Sequence, residues 1–324
     1  MPKDAPHMPN VRDVLSGFLR DAQQARRVLM TSTVPEGPHQ LRVALRKLRT
    51  ALGIFGKDDP QARALRDEAR LLGRRIGELR DLDVVAVEII APERHADPAD
   101  SGLWTLEVAL SEARIAARKA LREYLAHGEG GKVLDRWAAL LGSDADFLDR
   151  PAGEAADKAL KRRVRKAGRL GRRFHKLDDA HRHEFRKEIK KLRYTLDCGA
   201  WDAGGPARVK FRKRLKRLQN ALGAMNDAVV AREVLDRICK DMPEDSPAHA
   251  VGRRLVRRLE KNRLGTTADR SNRCGRRSRK PGCPPDRSVS GQGGGIPFAV
   301  AFQPQPAFAP QHHRIRRNYQ RGPG

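Results

Sequence analysis

Two stretches decide the fold of this chain: HQLRVALRKLRTAL, His39 to Leu52, and HEFRKEIKKLRYTL, His183 to Leu196. They lie 144 residues apart. Each reads His, a base at +3, bases at +7 and +8, and Arg at +10. A second block follows each copy, ARLLGRRIGELRDLDV from Ala69 and LKRLQNALGAMNDAVV from Leu215. There Gly77 and Asp81 match Gly223 and Asp227 at an offset of 146. Two blocks in the same order at nearly one offset argue for duplication of a helical unit. Two copies are too few for a solenoid. They predict an all-α protein of two related antiparallel bundles about a pseudo-twofold axis.

The helical period assigns the side chains. At about 100° per residue, His39, Arg42, Arg46 and Arg49 fall within an arc of roughly 80°. Leu41, Leu45, Leu48, Leu52 and Phe55 form a separate apolar arc. In the second copy His183, Arg186, Lys190 and Arg193 share one stripe, and Phe185, Ile189, Leu192 and Leu196 share the core face. Like charges at three- and four-residue spacings repel by a few tenths of a kcal/mol per pair. A merely solvated face would intersperse Glu, as Glu188 does off the stripe. A stripe without acids is best explained by an anionic ligand. On the next helix of the first copy, Arg63, Arg66, Arg70 and Arg74 flank the core positions, with Gly73 and Gly77 among them. Those glycines would let a neighbouring helix or an extended ligand approach the backbone. Arg212, Lys213 and Lys216 take the corresponding side of the second copy. Each half is therefore expected to carry a basic groove beside its core.

Working outward, the pattern from Val11 to about Arg263 is helical throughout. Apolar residues recur at spacings of three and four, and Pro or Gly marks the breaks. Helices are expected at about 11–30, 39–56, 60–80, 82–91, 102–127, 131–142, 155–177, 181–200, 206–224, 226–241 and 247–264. After an N-terminal extension, residues 1–10, the first half spans about 11–142 and the second about 155–263. From residue 264 to 324 the chain turns rich in Gly, Pro, Gln and Arg and almost free of acids, which predicts a disordered basic tail. A reading-frame shift in the source gene and a natural tail both account for it. Cys274, Cys283, His312 and His313 in the tail lack the spacing of zinc ligands. Cys198 and Cys239 read as small core residues.

The 324 residues carry 67 Lys and Arg against 40 Asp and Glu, a net charge of +27. Of this, +9 lies beyond residue 263 (11 bases, two acids) and +18 before it. The chain is 39% apolar, 5% aromatic and 33% charged. Few aromatics argue against a β-sandwich or barrel. No run of about 18 apolar residues suggests a membrane helix. MPKDAPHMPN lacks a signal-peptide pattern. A cytoplasmic protein with a polyanionic partner is the expectation.

At this point the residues resemble a family. HQLRVALRKLRTAL with LGRRIGELRDLDVV, and HEFRKEIKKLRYTL with LKRLQNALGAMNDAVVA, are similar to the two halves of the CHAD domain, the conserved-histidine α-helical domain. The resemblance covers about residues 11–263. It implies two four-helix-type bundles with basic surfaces that bind inorganic polyphosphate, and association with polyphosphate granules. The matching positions are His39, Arg42, Arg46, Arg49, Arg80, His183, Arg186, Lys190 and Arg193. Many relatives also carry an N-terminal triphosphate-tunnel (CYTH) domain with an ExExK motif. Only about 10 residues precede the first helix here, so no activity of such a domain is carried over.

Other features weigh less. Asp81, Asp83 and Asp227 read as helix caps or ion-pair partners of Arg80 and its neighbours. The alternative is a Mg²⁺ or Ca²⁺ bridge to phosphate. KALKRRVRKAGRLGRRFHK, Lys158 to Lys176, reads either as a solvated helix or as a rail extending the groove. No GxxxxGK[ST], GxSxG, HExxH or GxGxxG occurs, so no catalytic residue, metal site or cofactor is expected. Non-catalytic polyphosphate binding is the leading expectation, with affinity rising from pH 8 to 6 as the histidines charge. Its rivals are non-specific nucleic-acid binding and phosphohydrolysis of polyphosphate or a triphosphate. Only Tyr194 and Phe174 lie near the basic runs as stacking platforms.

Overall fold

A computed structural model describes residues 9–172, 174–199 and 206–261, with the backbone alone at 175, 207 and 224–226. Internal contacts divide the chain into residues 1–278 and 279–324, and every described residue belongs to the first unit. The expected tail, 264–324, and residues 1–8 of the extension lie outside the described residues.

The architecture is all-α. The helices are α1 (Val11–Thr31), α2 (Glu36–Phe55), α3 (Pro60–Val84), α4 (Ala91–Ala96), α5 (Ser101–Ala126), α6 (Glu129–Leu141), α7 (Ala152–Gly171), α8 (Asp179–Leu196) and α9 (Pro206–Lys240). α10 comprises 247–261. A π-helical turn, Val85–Ile90, links α3 to α4, and a 3-10 turn, Phe174–Lys176, precedes α8. Among the described residues the one β contact is a bridge between Asn10 and Pro151. No described helix is long and apolar enough to cross a membrane.

Aspartates start several helices as the capping rules require. Asp59, Asp100 and Asp178 accept the N–H groups of Ala62, Leu103 and His181 at 2.7, 2.9 and 2.8 Å. α1 has a full capping box, Asn10 with Asp13. Replacing Asp59 with Ala should cost about 1 kcal/mol. Thermal unfolding of the variant checks this, and an unchanged midpoint would show that the first turn of α3 is held otherwise.

α2 begins at Glu36, three residues before the expected start. Pro38 sits in its first turn, where the missing N–H has no helical partner to lose. Gly37 is needed there, because a Cβ would stand 2.7 Å from the backbone nitrogen of Leu29 on α1. α3 runs through the expected break at Arg80 to Val84. α9 joins the two helices expected at 206–224 and 226–241. Gly223 costs only about 1 kcal/mol inside a helix, and both ends of α9 are anchored in apolar cores.

Those cores explain the order of the elements. In the first, Leu15 and Leu29 of α1, Leu41, Leu45 and Leu48 of α2, Leu72 and Ile76 of α3 and Trp137 of α6 are fully buried. In the second, Leu160 of α7 meets Phe185, Ile189, Leu192 and Leu196 of α8 and Leu215 and Leu222 of α9. The third core joins the halves. Leu82, Val85, Ile90, Leu103, Leu106 and Leu110 pack with Ala231, Val234 and Leu235 of α9 and Ala248, Val251 and Leu255 of α10. The halves therefore share apolar surface. Cys198 and Cys239 are free and buried in these cores.

Two buried carboxylates brace the interior. Asp83 is fully buried and accepts from Arg114 at 2.8 and 3.0 Å, with Arg118 at 3.6 Å. Glu188 of α8 takes Arg163 and Lys166 of α7 at 3.3 and 3.1 Å. Removing one partner of such a pair leaves a buried charge uncompensated.

Candidate functional site

The apolar arcs of α2 and α8 point into different cores, and the two helices pack against each other. Their basic stripes are thereby brought together. Arg42 and Arg46 of α2 meet Arg186 and Lys190 of α8, all half-buried. Arg80 of α3 joins them, donating from Nε to His39 Nδ1 at 3.3 Å. An arginine can only donate, so His39 is the acceptor and neutral in that contact. Tyr194 is buried close to Arg42 and Arg186.

The electrostatics are strained. Burial and the charges of Arg46, Arg186 and Arg42 push the Lys190 ammonium down to about 7. Burial, then Arg80, Arg46 and Arg42, lowers His39. Burial, then Lys187 and Arg186, lowers His183. Burial also raises the Asp227 carboxyl, against the opposing pull of Arg186 and Lys190.

Acids do enter the cluster, which corrects the expectation of uncompensated stripes. Arg42 stands 3.6 Å from Asp81, and Arg186 stands 3.7 Å from Asp227. These carboxylates come from α3 and α9, so a reading along one helix misses them. Asp81 and Asp83 also lie inside α3, and Asp227 inside α9, so none of the three caps a helix. The paired arginines are Arg42, Arg114, Arg118 and Arg186, and Arg80 instead approaches Glu88 at 3.8 Å. Among the described residues no group of acids, His and Cys is arranged to hold a metal ion.

Bond lengths separate bracing pairs from pairs at the site. Asp83 accepts true hydrogen bonds from Arg114 at 2.8–3.0 Å. The Arg42 and Arg186 pairs, at 3.6 and 3.7 Å, exceed the 2.7–3.2 Å of an N–H···O bond. They orient the guanidiniums while leaving donors available. Among the described residues Arg46 and Lys190 make no ion pair within 4.0 Å, although Asp227 acts on Lys190 from further off. Five cations thus meet three carboxylates, Asp81, Asp227 and Glu88.

The remaining expected residues are distributed around this centre. Arg49 lies with Arg70 and Arg66 on the α2–α3 face, and Arg66 is 3.9 Å from Asp67. Arg74 is exposed on α3. Arg193 donates to Gln219 at 3.0 Å, so its donors are partly engaged within the protein. Arg212 is 3.6 Å from Asp197, while Lys213 and Lys216 are exposed. His183 is exposed and faces a cavity between α8, α9 and α10. On α7, Arg163 and Lys166 turn inward to Glu188, and the other bases point out. A Cβ at Gly77 would lie 3.0 Å from Arg42 Nη2, so that glycine makes room for the guanidinium, whereas Gly73 has nothing within 4 Å. Glu88 was not legible as a member. Asp81 and Asp227 read in sequence as ion-pair partners of Arg80 and its neighbours, and the structure sets them instead beside Arg42 and Arg186.

These elements define an all-α domain in which two histidine-led helices meet at a cluster of cations. A family model for the CHAD domain matches residues 13–236, and the chain belongs to that family. Among solved structures, the chain is similar to the CHAD domain from the plant Ricinus communis, at 24% identity and a TM-score of 0.71, over 86% of this chain and 94% of that one. It is also similar to PptA from Streptomyces chartreusis, at 16% identity and a TM-score of 0.55, over 79% and 96%. At these identities both likenesses concern the fold. Among curated proteins, no relative matches.

Proposed function

We propose that the protein binds inorganic polyphosphate without turning it over, in a basic groove that runs across the meeting of α2 and α8. The observation that carries this reading is the excess of five cations over three carboxylates at that meeting. Half-buried like charges raise the energy of the free protein, and an entering polyanion relieves that. Arg42, Arg46, Arg80 and Arg186 would grip phosphate oxygens through forked hydrogen bonds, with Lys190 as a point charge. Arg49, Arg66 and Arg70 would continue the path on one side, and Arg212, Lys213 and Lys216 on the other. The recurrence of the Arg-to-Asp pair at 3.6 and 3.7 Å supports reading the halves as duplicates about a pseudo-twofold. The cytoplasm, with its polyphosphate granules, is the setting this reading implies.

Polyphosphate is favoured over nucleic acid because the described residues of the cluster include no exposed aromatic. Tyr194 is buried, and single-strand binders use exposed aromatics. Hydrolysis would need a positioned nucleophile or metal site, and the carboxylates at the cluster are engaged with arginines. The test is competition. Duplex DNA or RNA at equal phosphate concentration should fail to displace long-chain polyphosphate, and no orthophosphate should appear with or without Mg²⁺. Displacement by nucleic acid, or metal-dependent release of phosphate, would replace this reading with the corresponding rival. Affinity should fall with salt at a log–log slope of about −0.7 per phosphate contact.

A further inference from the structure

A cavity of about 280 Å³ opens between α8, α9 and α10, beside the cation cluster. Its two sides differ in chemistry. Asp179, Arg182, His183 and Arg186 of α8 form one wall, basic on balance. Leu222 and Val229 of α9 and Leu259 of α10 form an aliphatic floor. Val229 is 40% exposed, so this apolar surface faces water.

The wall is suited to phosphate. Arg182 stands 3.5 Å from Asp179 and Arg186 stands 3.7 Å from Asp227, both beyond hydrogen-bond length. Arg182 lies over the Phe174 ring at 5.9 Å, which holds the plane of its fork. The floor is not suited to polyphosphate, which has no apolar part to set on it. The size is near the lower limit of roughly 300 Å³ for small-molecule pockets, which fits one heterocycle and its sugar. Glu260 and Arg232, paired at 3.1 Å, also line the cavity, and Glu260 offers an acceptor for an exocyclic amine.

We propose that this cavity is a nucleotide site, taking the phosphates of a nucleoside di- or triphosphate on Arg182, His183 and Arg186 and its base on Leu222, Val229 and Leu259. The site goes beyond polyphosphate binding and shares with it only His183 and Arg186.

Isothermal titration of the full chain with ATP, inorganic tripolyphosphate and adenosine tests the proposal. ATP should bind at least about tenfold more tightly than tripolyphosphate, because only ATP can use the floor, and adenosine more weakly than ATP. Val229→Gln places an amide on the floor at an exposed helical position. It should abolish the margin of ATP over tripolyphosphate and leave tripolyphosphate and long-chain polyphosphate binding unchanged. Equal affinities of the native protein for ATP and tripolyphosphate would overturn the proposal. So would a margin that survives Val229→Gln. Failure of the polyphosphate reading shows separately, as absent binding of long-chain polyphosphate by the native protein.

Discussion

Polyphosphate affinity should fall by up to about tenfold per pH unit as pH rises above about 7, and Lys190→Arg should remove that dependence. The sign follows from linkage. In the free protein the Lys190 ammonium is lost above about 7, because burial and Arg46, Arg186 and Arg42 disfavour it. Phosphate oxygens beside it would return its value toward the ordinary 10.5. The bound form is then protonated where the free form is not, so binding takes up a proton throughout the window above 7. Below 7 the ammonium is charged in both states, and this group contributes no slope. The other groups facing Lys190 do not supply that slope. Guanidinium groups do not titrate in this range. Asp227 is raised only from a carboxylate starting point. His39 and His183 are lowered from 6.5 in the free protein, and phosphate beside them would raise them again from that lower start, so their uptake is centred at more acid pH than that of Lys190. The rise in affinity expected from pH 8 to 6 is then shared, with Lys190 carrying its part above 7 and the histidines the part below. Titrations at pH 8 in buffers of different ionisation enthalpy should register close to one proton taken up. Lys190→Arg keeps the charge at all these pH values and should bind with no uptake. A flat affinity from pH 7 to 9 in the native protein would contradict contact with Lys190.

Much of the fold was legible because each helix announces its own buried face. The Leu41, Leu45, Leu48 and Leu52 arc is buried as the period predicts. The third core was not legible. Leu82, Leu103 and Leu106 look like ordinary core positions of the first half, and nothing local says that their partners are Ala231 and Val251. The same limit explains α9. A break is expected between 206–224 and 226–241 until both segments are seen anchored in different cores. At the site, Arg42, Arg46, Arg186 and Lys190 were visible because phase along one helix is a sequence property. Their convergence, and the arrival of Asp81 and Asp227 between them, depends on which faces of α2, α3, α8 and α9 meet. Lys190 shows the difference most clearly. In sequence it is one base in a stripe, and in the fold it is an ammonium crowded by three guanidiniums.

The quadruple variant Arg42→Ala, Arg46→Ala, Arg186→Ala, Lys190→Ala should lose at least about two orders of magnitude in polyphosphate affinity. A hydrogen bond to a charged group contributes about 1.5–3 kcal/mol, so even two such contacts, partly non-additive, supply a factor of that size. The fold should survive. Arg46 and Lys190 brace no carboxylate, and the Arg42 and Arg186 pairs are long and partly exposed. Removing four crowded cations relieves repulsion, while Asp81 and Asp227 retain access to water. Circular dichroism should show unchanged helicity and a melting midpoint close to that of the native protein.

Loss of charge alone would also weaken binding of any polyanion, so position has to be separated from amount. The residues Lys161, Arg162, Arg165 and Arg169 are exposed on the face of α7 opposite its buried positions. Their fourfold Ala variant removes the same formal charge as the cluster variant. The decisive measurement is the affinity of both variants for long-chain polyphosphate at about 0.15 M salt, where the Debye length is about 8 Å and distant charges are screened. A loss of at least about a hundredfold for the cluster variant, with a change under about fivefold for the α7 variant, is the predicted result. Equal losses in the two would show that bulk charge, and not a site where α2 meets α8, holds the polyanion.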